Sequence, residues 1–397
     1  MKSHHALVFA GLFACVMAAA VTGAPGQKAP SQNASAIDWD RARQLYQKQK
    51  EGQSMTDDEK AYLNRARQER QKTGAKGGPK GQGQAEPVAA PKPSTGLIPL
   101  TELGEGKYRG EDGGLYGGGS NEPPKSQQEA ARKATAEIQP LDAEGRPAKD
   151  GRIVLISVGM SNTTMEFSQF KATADKDPEE NPRLVIVDGA QGGQDSAVWA
   201  DTEAQVKAGK RDVWAVLDKR IKEAGVTAPQ VQVAWLKQAR ARPAPLGEFP
   251  AHARALQADE MKIANKLKER FPNLRVIYLS NRIYAGYATT ALNPEPYSYE
   301  GAFAVRWLIR DQIDGKPELN FDPARGPVKA PVLLWGPYLW TDGVKPRKSD
   351  GLVWKQEDCR EDGTHPSASG GRKVVELLMN FFKTDPNAKT WFVGETK

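Results

Sequence analysis

Histidine and cysteine are scarce in this 397-residue chain, which holds four of one and two of the other. The shortage of cysteine excludes a disulfide framework. Cys15 lies in an N-terminal apolar stretch, so cleavage of that stretch would leave Cys359 alone. The shortage of histidine narrows acid–base chemistry. His4 and His5 fall in the same leader, which leaves His252 and His365 as imidazole candidates. No His/Cys/Asp/Glu cluster has metal-ligand spacing, and no cofactor is expected. Beyond residue 24 no segment is apolar enough to span a bilayer, so no stable membrane insertion is expected once the leader is cleaved.

Residues 1–24 read as a secretory signal. Lys2 gives a positive start, Ala6 to Val21 form the apolar stretch, and Thr22-Gly23-Ala24 offers small residues for cleavage. A transmembrane anchor is the alternative, but the run is short and alanine-rich. Leu12-Phe13-Ala14-Cys15 also resembles a lipoprotein cleavage box, with Phe13 a poor fit. The expected location is secreted, periplasmic or on the cell surface.

The formal charge of +7 is unevenly placed. Residues 25–95 hold thirteen Lys/Arg against eight Asp/Glu, so the remaining three hundred are almost neutral. Basic and aromatic residues do not interleave along one stripe, which argues against nucleic acid as a partner. Residues 25–36 are polar. Residues 37–72 have the pattern of a small helical hairpin. Trp39, Ala42, Leu45 and Tyr46 fall at helical spacing, and Thr56-Asp57-Asp58-Glu59 is a capping box. Two short helices bury little surface, so the hairpin is either a solvated spacer or a docking element for an unknown partner. Residues 73–95, rich in Gly, Pro, Ala, Lys and Gln, read as a linker.

The main domain is expected over 96–397. Five short apolar runs predict strands: Ile153–Val158, Leu184–Val187, Val231–Leu236, Leu274–Ser280 and Pro331–Trp335. Helical patterns at Asp212–Ala224, His252–Phe271, Tyr299–Asp314 and Arg372–Lys383 separate or follow them. Strands alternating with helices imply an α/β fold, a three-layer α/β/α sandwich around a five-stranded parallel sheet. Ligands of such sheets sit at the carboxyl ends of the strands.

Two segments place reactive side chains there. Gly159-Met160-Ser161-Asn162 directly follows the first strand, and Asp362-Gly363-Thr364-His365-Pro366 precedes the last helix. A serine needs a base to attack at neutral pH, and the base needs a group that fixes its tautomer. Only His365 has an acid three residues before it. His252, after Phe249-Pro250 at a helix start, reads as exposed or capping. Cys359 reads as an incidental thiol. The competing reading makes Ser161 an ordinary turn residue and Asp-Gly a plain turn dipeptide.

These segments resemble the SGNH (GDSL-like) hydrolases over roughly residues 96–397. The likeness leans toward the sialate O-acetylesterase and carbohydrate-esterase branch, whose nucleophile block reads Gly-Gln-Ser-Asn, and toward secreted bacterial SGNH-like proteins with Gly-Met-Ser-Asn. The resemblance implies Ser161 as nucleophile, His365 as base and Asp362 as its orienting acid. It implies an oxyanion hole from the Ser161 N–H and a glycine of Asp188-Gly189-Ala190-Gln191-Gly192-Gly193. Gly193 is the first choice and Gly192 the second, and Trp199 follows as in the carbohydrate-esterase branch.

For the third donor the family has Gly-x-Asn-Asp. Here Leu279-Ser280-Asn281-Arg282 lacks the glycine and the acid, so Asn281 is the candidate and Arg282 a possible helper. Gln238 in Trp235-Leu236-Lys237-Gln238 is the rival, displaced from the branch's Trp-x-Gln-Gly-Glu. Asn162, Gly192, Arg282, Trp335 and Trp340 are candidate substrate contacts. The rings of Tyr284, Tyr287, Tyr297, Tyr299, Trp335, Tyr338, Trp340 and Trp354 suit either stacking on sugars or packing of long loops. The glycine-rich 113–119 segment lacks a phosphate-loop ending and is expected near the site rim. The implied activity is removal of small acyl groups, acetyl above all, from a carbohydrate or similar polyhydroxylated ester. A non-catalytic carbohydrate-binding protein and a lipase are the alternatives.

Overall fold

The structure is a computed structural model that describes residues 37–50, 54–72 and 90–394. The leader, the polar segment 25–36 and residues 73–89 of the linker lie outside the described residues. The chain divides into two compact units, Met1–Gln84 and Ala85–Lys397.

In the first unit, helices α1 (Trp39–Lys50) and α2 (Asp57–Lys72) pack together through Ala42, Leu45, Leu63 and Ala66, all buried. The capping box is formed in both directions. Glu59 N–H donates to Thr56 Oγ1 at 3.2 Å, and Thr56 N–H donates to Glu59 Oε2 at 3.0 Å. Lys48 Nζ adds a cross-helix contact to Glu59 at 2.8 Å. Tyr46, on the apolar pattern by spacing, is exposed.

The second unit starts with a short antiparallel pair, β1 (Lys107–Tyr108) and β2 (Glu111–Asp112), and then helix α3 (Lys125–Ala136). The series continues with β3 (Ile153–Gly159), α4 (Ser161–Ala174), β4 (Leu184–Val187), α5 (Ser196–Ala200), α6 (Thr202–Lys207) and α7 (Val213–Glu223). It closes with β5 (Val231–Lys237), α8 (Ala251–Arg270), β6 (Val276–Leu279), α9 (Tyr297–Ile313), β7 (Val332–Trp335), α10 (Ala368–Thr384) and α11 (Lys389–Phe392).

Strands β3 to β7 form one parallel sheet in the order β4-β3-β5-β6-β7. Every residue of β3, β5, β6 and β7 is buried, which explains why each strand reads as a nearly continuous apolar run. Helices α3, α4, α10 and α11 cover one face, and α5, α7, α8 and α9 cover the other. On the first face Phe167 stacks on Trp235 at 5.5 Å and Phe170 packs on Phe382 at 5.4 Å. No helix among the described residues is long and apolar enough to cross a membrane.

The strand order reverses at β3: β4 lies on one side and β5, β6 and β7 on the other. In open parallel sheets a crevice forms at that reversal, beyond the carboxyl ends. Ser161 stands there, two residues past the end of β3. Gly159, the last residue of β3, is extended rather than left-handed. Its need is proximity, because a Cβ there would lie 2.3 Å from Thr163 Oγ1.

Composition misplaces the domain's beginning. Residues 92–95 have linker-like side chains, yet they are bonded to the domain. Lys92 N–H donates to Gly286 O at 2.8 Å. The buried Asp342 carboxylate accepts from Ser94 Oγ, Thr95 N–H, Thr95 Oγ1 and Gly96 N–H at 2.5–3.0 Å. The glycine-rich 113–119 segment folds onto β2, with Gly118 N–H donating to Asp112 Oδ2 at 2.7 Å. Its Leu115 carbonyl takes the Trp335 indole N–H at 2.8 Å, at the carboxyl end of β7.

Candidate active site

Ser161 opens helix α4, and its Oγ lies 2.6 Å from His365 Nε2. His365 Nδ1 lies 2.5 Å from Asp362 Oδ2. The other Asp362 oxygen accepts the backbone N–H groups of Thr364 and His365, each at 2.9 Å. Burial pushes the Asp362 carboxyl up, but the bonds from His365 and Thr364 outweigh it and hold the group well below the usual range. An ionised carboxylate only accepts, so Nδ1 carries the proton and Nε2 presents its lone pair to the serine hydroxyl. This is the tautomer that a general base requires.

The Asp362–His365 turn is shaped by its surroundings. Gly363 takes φ +62°, and a Cβ there would lie 1.8 Å from Tyr287 O. Thr289 N–H donates to Asp362 O at 3.0 Å, which ties the turn to the loop after β6.

Backbone donors converge beside Ser161. The first turn of α4 leaves N–H groups without helical acceptors, and the helix dipole places partial positive charge there. The loop after β4 supplies the glycines. Gly192 lies against the nucleophile, since a Cβ there would sit 3.9 Å from Ser161 Cβ. Gly193 turns the chain at φ +76°. Gln191 holds this loop by donating its backbone N–H to Gly159 O at 3.0 Å and its side chain to Val213 O at 2.8 Å.

Asp188 fastens the same loop to α4. Its carboxylate accepts from Ser157 Oγ at 2.7 Å, from Ala190 N–H at 3.1 Å and from Thr164 Oγ1. Burial raises this carboxyl, and the hydroxyl donors oppose the rise.

The two third-donor candidates differ in place. Gln238 directly follows β5, whose Lys237 is in register with Gly159 of β3. It is buried, and neither amide atom has a hydrogen-bond partner. Asn281 follows β6, one strand further from Ser161. Its Oδ1 accepts Leu339 N–H at 2.9 Å, while its Nδ2 is buried without a partner. Strand order therefore favours Gln238.

Several expected substrate contacts are turned inward. Asn162 and Arg282 are buried and both donate to the Thr364 carbonyl, at 2.8 and 3.1 Å. Trp335 and Trp340, read as ligand-stacking rings, offer no free face. Both are buried, and the Trp340 indole N–H donates to Glu295 Oε1 at 2.8 Å. Tyr284, Tyr287, Tyr299, Tyr338 and Trp354 are buried too, because the long loops after β6 and β7 need apolar filling of their own. Tyr297 alone of that set is half-exposed.

His252 is neither exposed nor a cap. It is buried, with Nε2 2.6 Å from Glu300 Oε2, and Glu300 also accepts from Tyr108 Oη at 2.5 Å. Cys359 is a buried free thiol that burial pushes up to about 12, which suits an inert residue. Among the described residues no group of three His, Cys, Asp or Glu is placed to hold a metal ion.

Sequence reading missed Glu166 and Lys237. Both are fully buried and form an ion pair beneath the site. The available signal was a charge inside an apolar stretch: Lys237 ends the β5 run, and Glu166 precedes Phe167. The chain matches no protein-family model, and no curated protein matches it. The site's chemistry therefore has to be read from its own geometry.

Proposed function

We propose that this protein is a serine ester hydrolase that removes small acyl groups, acetyl above all, from a polyhydroxylated substrate such as a carbohydrate. The observation that carries the reading is the Ser161–His365–Asp362 chain of contacts at 2.6 and 2.5 Å. Ser161 Oγ attacks the ester carbonyl while His365 Nε2 takes its proton. Asp362 stabilises the imidazolium that forms. His365 then returns the proton to the departing alcohol, and water releases the acid by the same steps in reverse order. The Ser161 N–H, the Gly192 and Gly193 N–H groups and the Gln238 amide, with Asn281 as the alternative, are the donors for the oxyanion. The reading agrees with the resemblance to SGNH hydrolases.

The preference for a small acyl group over a lipid chain rests on the resemblance to the carbohydrate-esterase branch. The loop after β6 borders an open groove of about 560 Å³, lined by apolar residues such as Leu97, Ala244, Pro294 and Pro296 together with Tyr108, Arg109 and Tyr297, and by none of Ser161, His365 and Asp362.

The test is a chain-length series of p-nitrophenyl esters together with acetate release from acetylated polysaccharide. Acetyl is expected to be the best acyl group, with turnover falling steadily toward octanoyl. A preference for octanoyl would replace this reading with a lipase. No turnover of any ester, with saturable binding of the polysaccharide, would replace it with a binding protein.

A further inference from the structure

Thr364 stands between the orienting acid and the base, and its carbonyl accepts two buried donors. One is Asn162 Nδ2 at 2.8 Å, from the residue that follows the nucleophile. The other is Arg282 Nη2 at 3.1 Å, from the loop after β6. The link through Asn162 joins the backbone beside Ser161 to the backbone beside His365. The link through Arg282 joins that same point to the rigid end of β6.

The guanidinium does not stand alone. Glu166, one turn down α4 from the nucleophile, is fully buried and lies close enough to Arg282 to act on its charge. Glu166 also pairs with Lys237 Nζ at the end of β5, and Thr163 Oγ1 donates to Lys237 O at 2.8 Å. Three charged side chains are thus withdrawn from water beneath the serine and histidine. Apolar residues of similar size would generally hold a core as well or better, so burial of this cluster is poorly explained by stability alone. Its hydrogen bond to the Asp362–His365 turn runs from Arg282 to the Thr364 carbonyl.

The Asp362–His365 turn is closed by its own hydrogen bonds, so it keeps its shape without this clamp. What it needs is a fixed location relative to Ser161. We infer that Arg282 and Asn162 are positioning residues that set His365 on Ser161 by clamping the Thr364 carbonyl. This rests on Ser161 and His365 being the catalytic pair. A bidentate-capable planar guanidinium suits the role, and a lysine ammonium does not replace it fully.

The test uses Arg282→Met, Arg282→Lys and Asn162→Ala in the full chain with ¹⁵N-labelled histidine. The wild-type His365 Nε2 resonance reports a nitrogen that accepts a bond from Ser161 Oγ, and Ser161→Ala supplies the reference without it. Arg282→Met and Asn162→Ala are expected to move that resonance to the Ser161→Ala position. They are also expected to lower kcat about 10²-fold, the scale of a 1 Å misplacement, with KM nearly unchanged. Arg282→Lys is expected to fall between Arg282→Met and wild type. A wild-type resonance and kcat in the variants would overturn the clamp, including where only the melting temperature falls. If Arg282→Met does not fold, Asn162→Ala carries the same test. If wild type hydrolyses no ester while the resonance still moves in the variants, the clamp stands and the esterase reading falls.

Discussion

Replacing Ser161 with alanine is expected to abolish ester hydrolysis, with kcat falling about 10⁶-fold or to the uncatalysed background. The size follows from the chemistry. The serine supplies the atom that attacks, and no other nucleophile stands in its place. Cys359 is buried, with its thiol pushed up to about 12. The substitution removes one half-exposed hydroxyl at the start of α4 and leaves the Asn162 and Thr163 bonds intact, so the fold is expected to survive. Initial rates on p-nitrophenyl acetate for the two proteins side by side, with melting curves as a control, check this. A variant that keeps a tenth of the wild-type rate would remove Ser161 from the mechanism.

Asp362→Asn is expected to lower kcat about 10⁴-fold while leaving the shape of the turn in place. An amide that presents its NH₂ to His365 Nδ1 favours the tautomer with the proton on Nε2. That nitrogen then has no lone pair for the serine hydroxyl. The same substitution changes the response of stability to acid. In the folded protein Asp362 is held below its ordinary range, despite burial, by its bonds to His365 and Thr364. A depressed carboxyl contributes stability above its unfolded value, near pH 4, and loses it as the pH falls through the folded value. Wild type should therefore lose more stability than Asp362→Asn as the pH is lowered below about 4. Chemical denaturation at a series of acidic pH values measures it. Parallel curves for the two proteins would mean that the carboxylate is not held as the contacts indicate.

The layered fold was open to sequence reading because parallel strands covered on both faces leave nearly continuous apolar runs such as Ile153–Val158 and Val231–Leu236, broken only by Ser157 and Gln232. The structure trims Leu274–Ser280 to Val276–Leu279, since Leu274 and Arg275 precede the ladder although Leu274 is buried. Ser161, Asp362 and His365 stood out because few residue types perform that chemistry and histidine was scarce.

The surroundings were harder to read. Strand order is absent from sequence, so nothing ranked Gln238 above Asn281 until β5 was seen beside β3. An aromatic ring reads alike whether it stacks on a sugar or fills a loop, and Trp335 and Trp340 fill loops. Glu166 drew no reading of its own and Arg282 read as an oxyanion helper, yet both are buried, with Glu166 paired to the equally buried Lys237. Lys92, Ser94 and Thr95 had the composition of a linker because their bonds run to Asp342 and Gly286, about two hundred and fifty and two hundred residues away.

The central claim is that Ser161 is an activated nucleophile, and the most direct measurement is its covalent capture. An alkyl fluorophosphonate forms a bond from Ser161 Oγ to phosphorus and expels fluoride, with the hydroxyl proton passing to His365. Peptide mass spectrometry of the treated protein should place one adduct per chain on Ser161. It should be absent in Ser161→Ala and form far more slowly in Asp362→Asn. An unmodified wild-type protein with its fold intact, or an adduct on any other residue, would contradict the assignment.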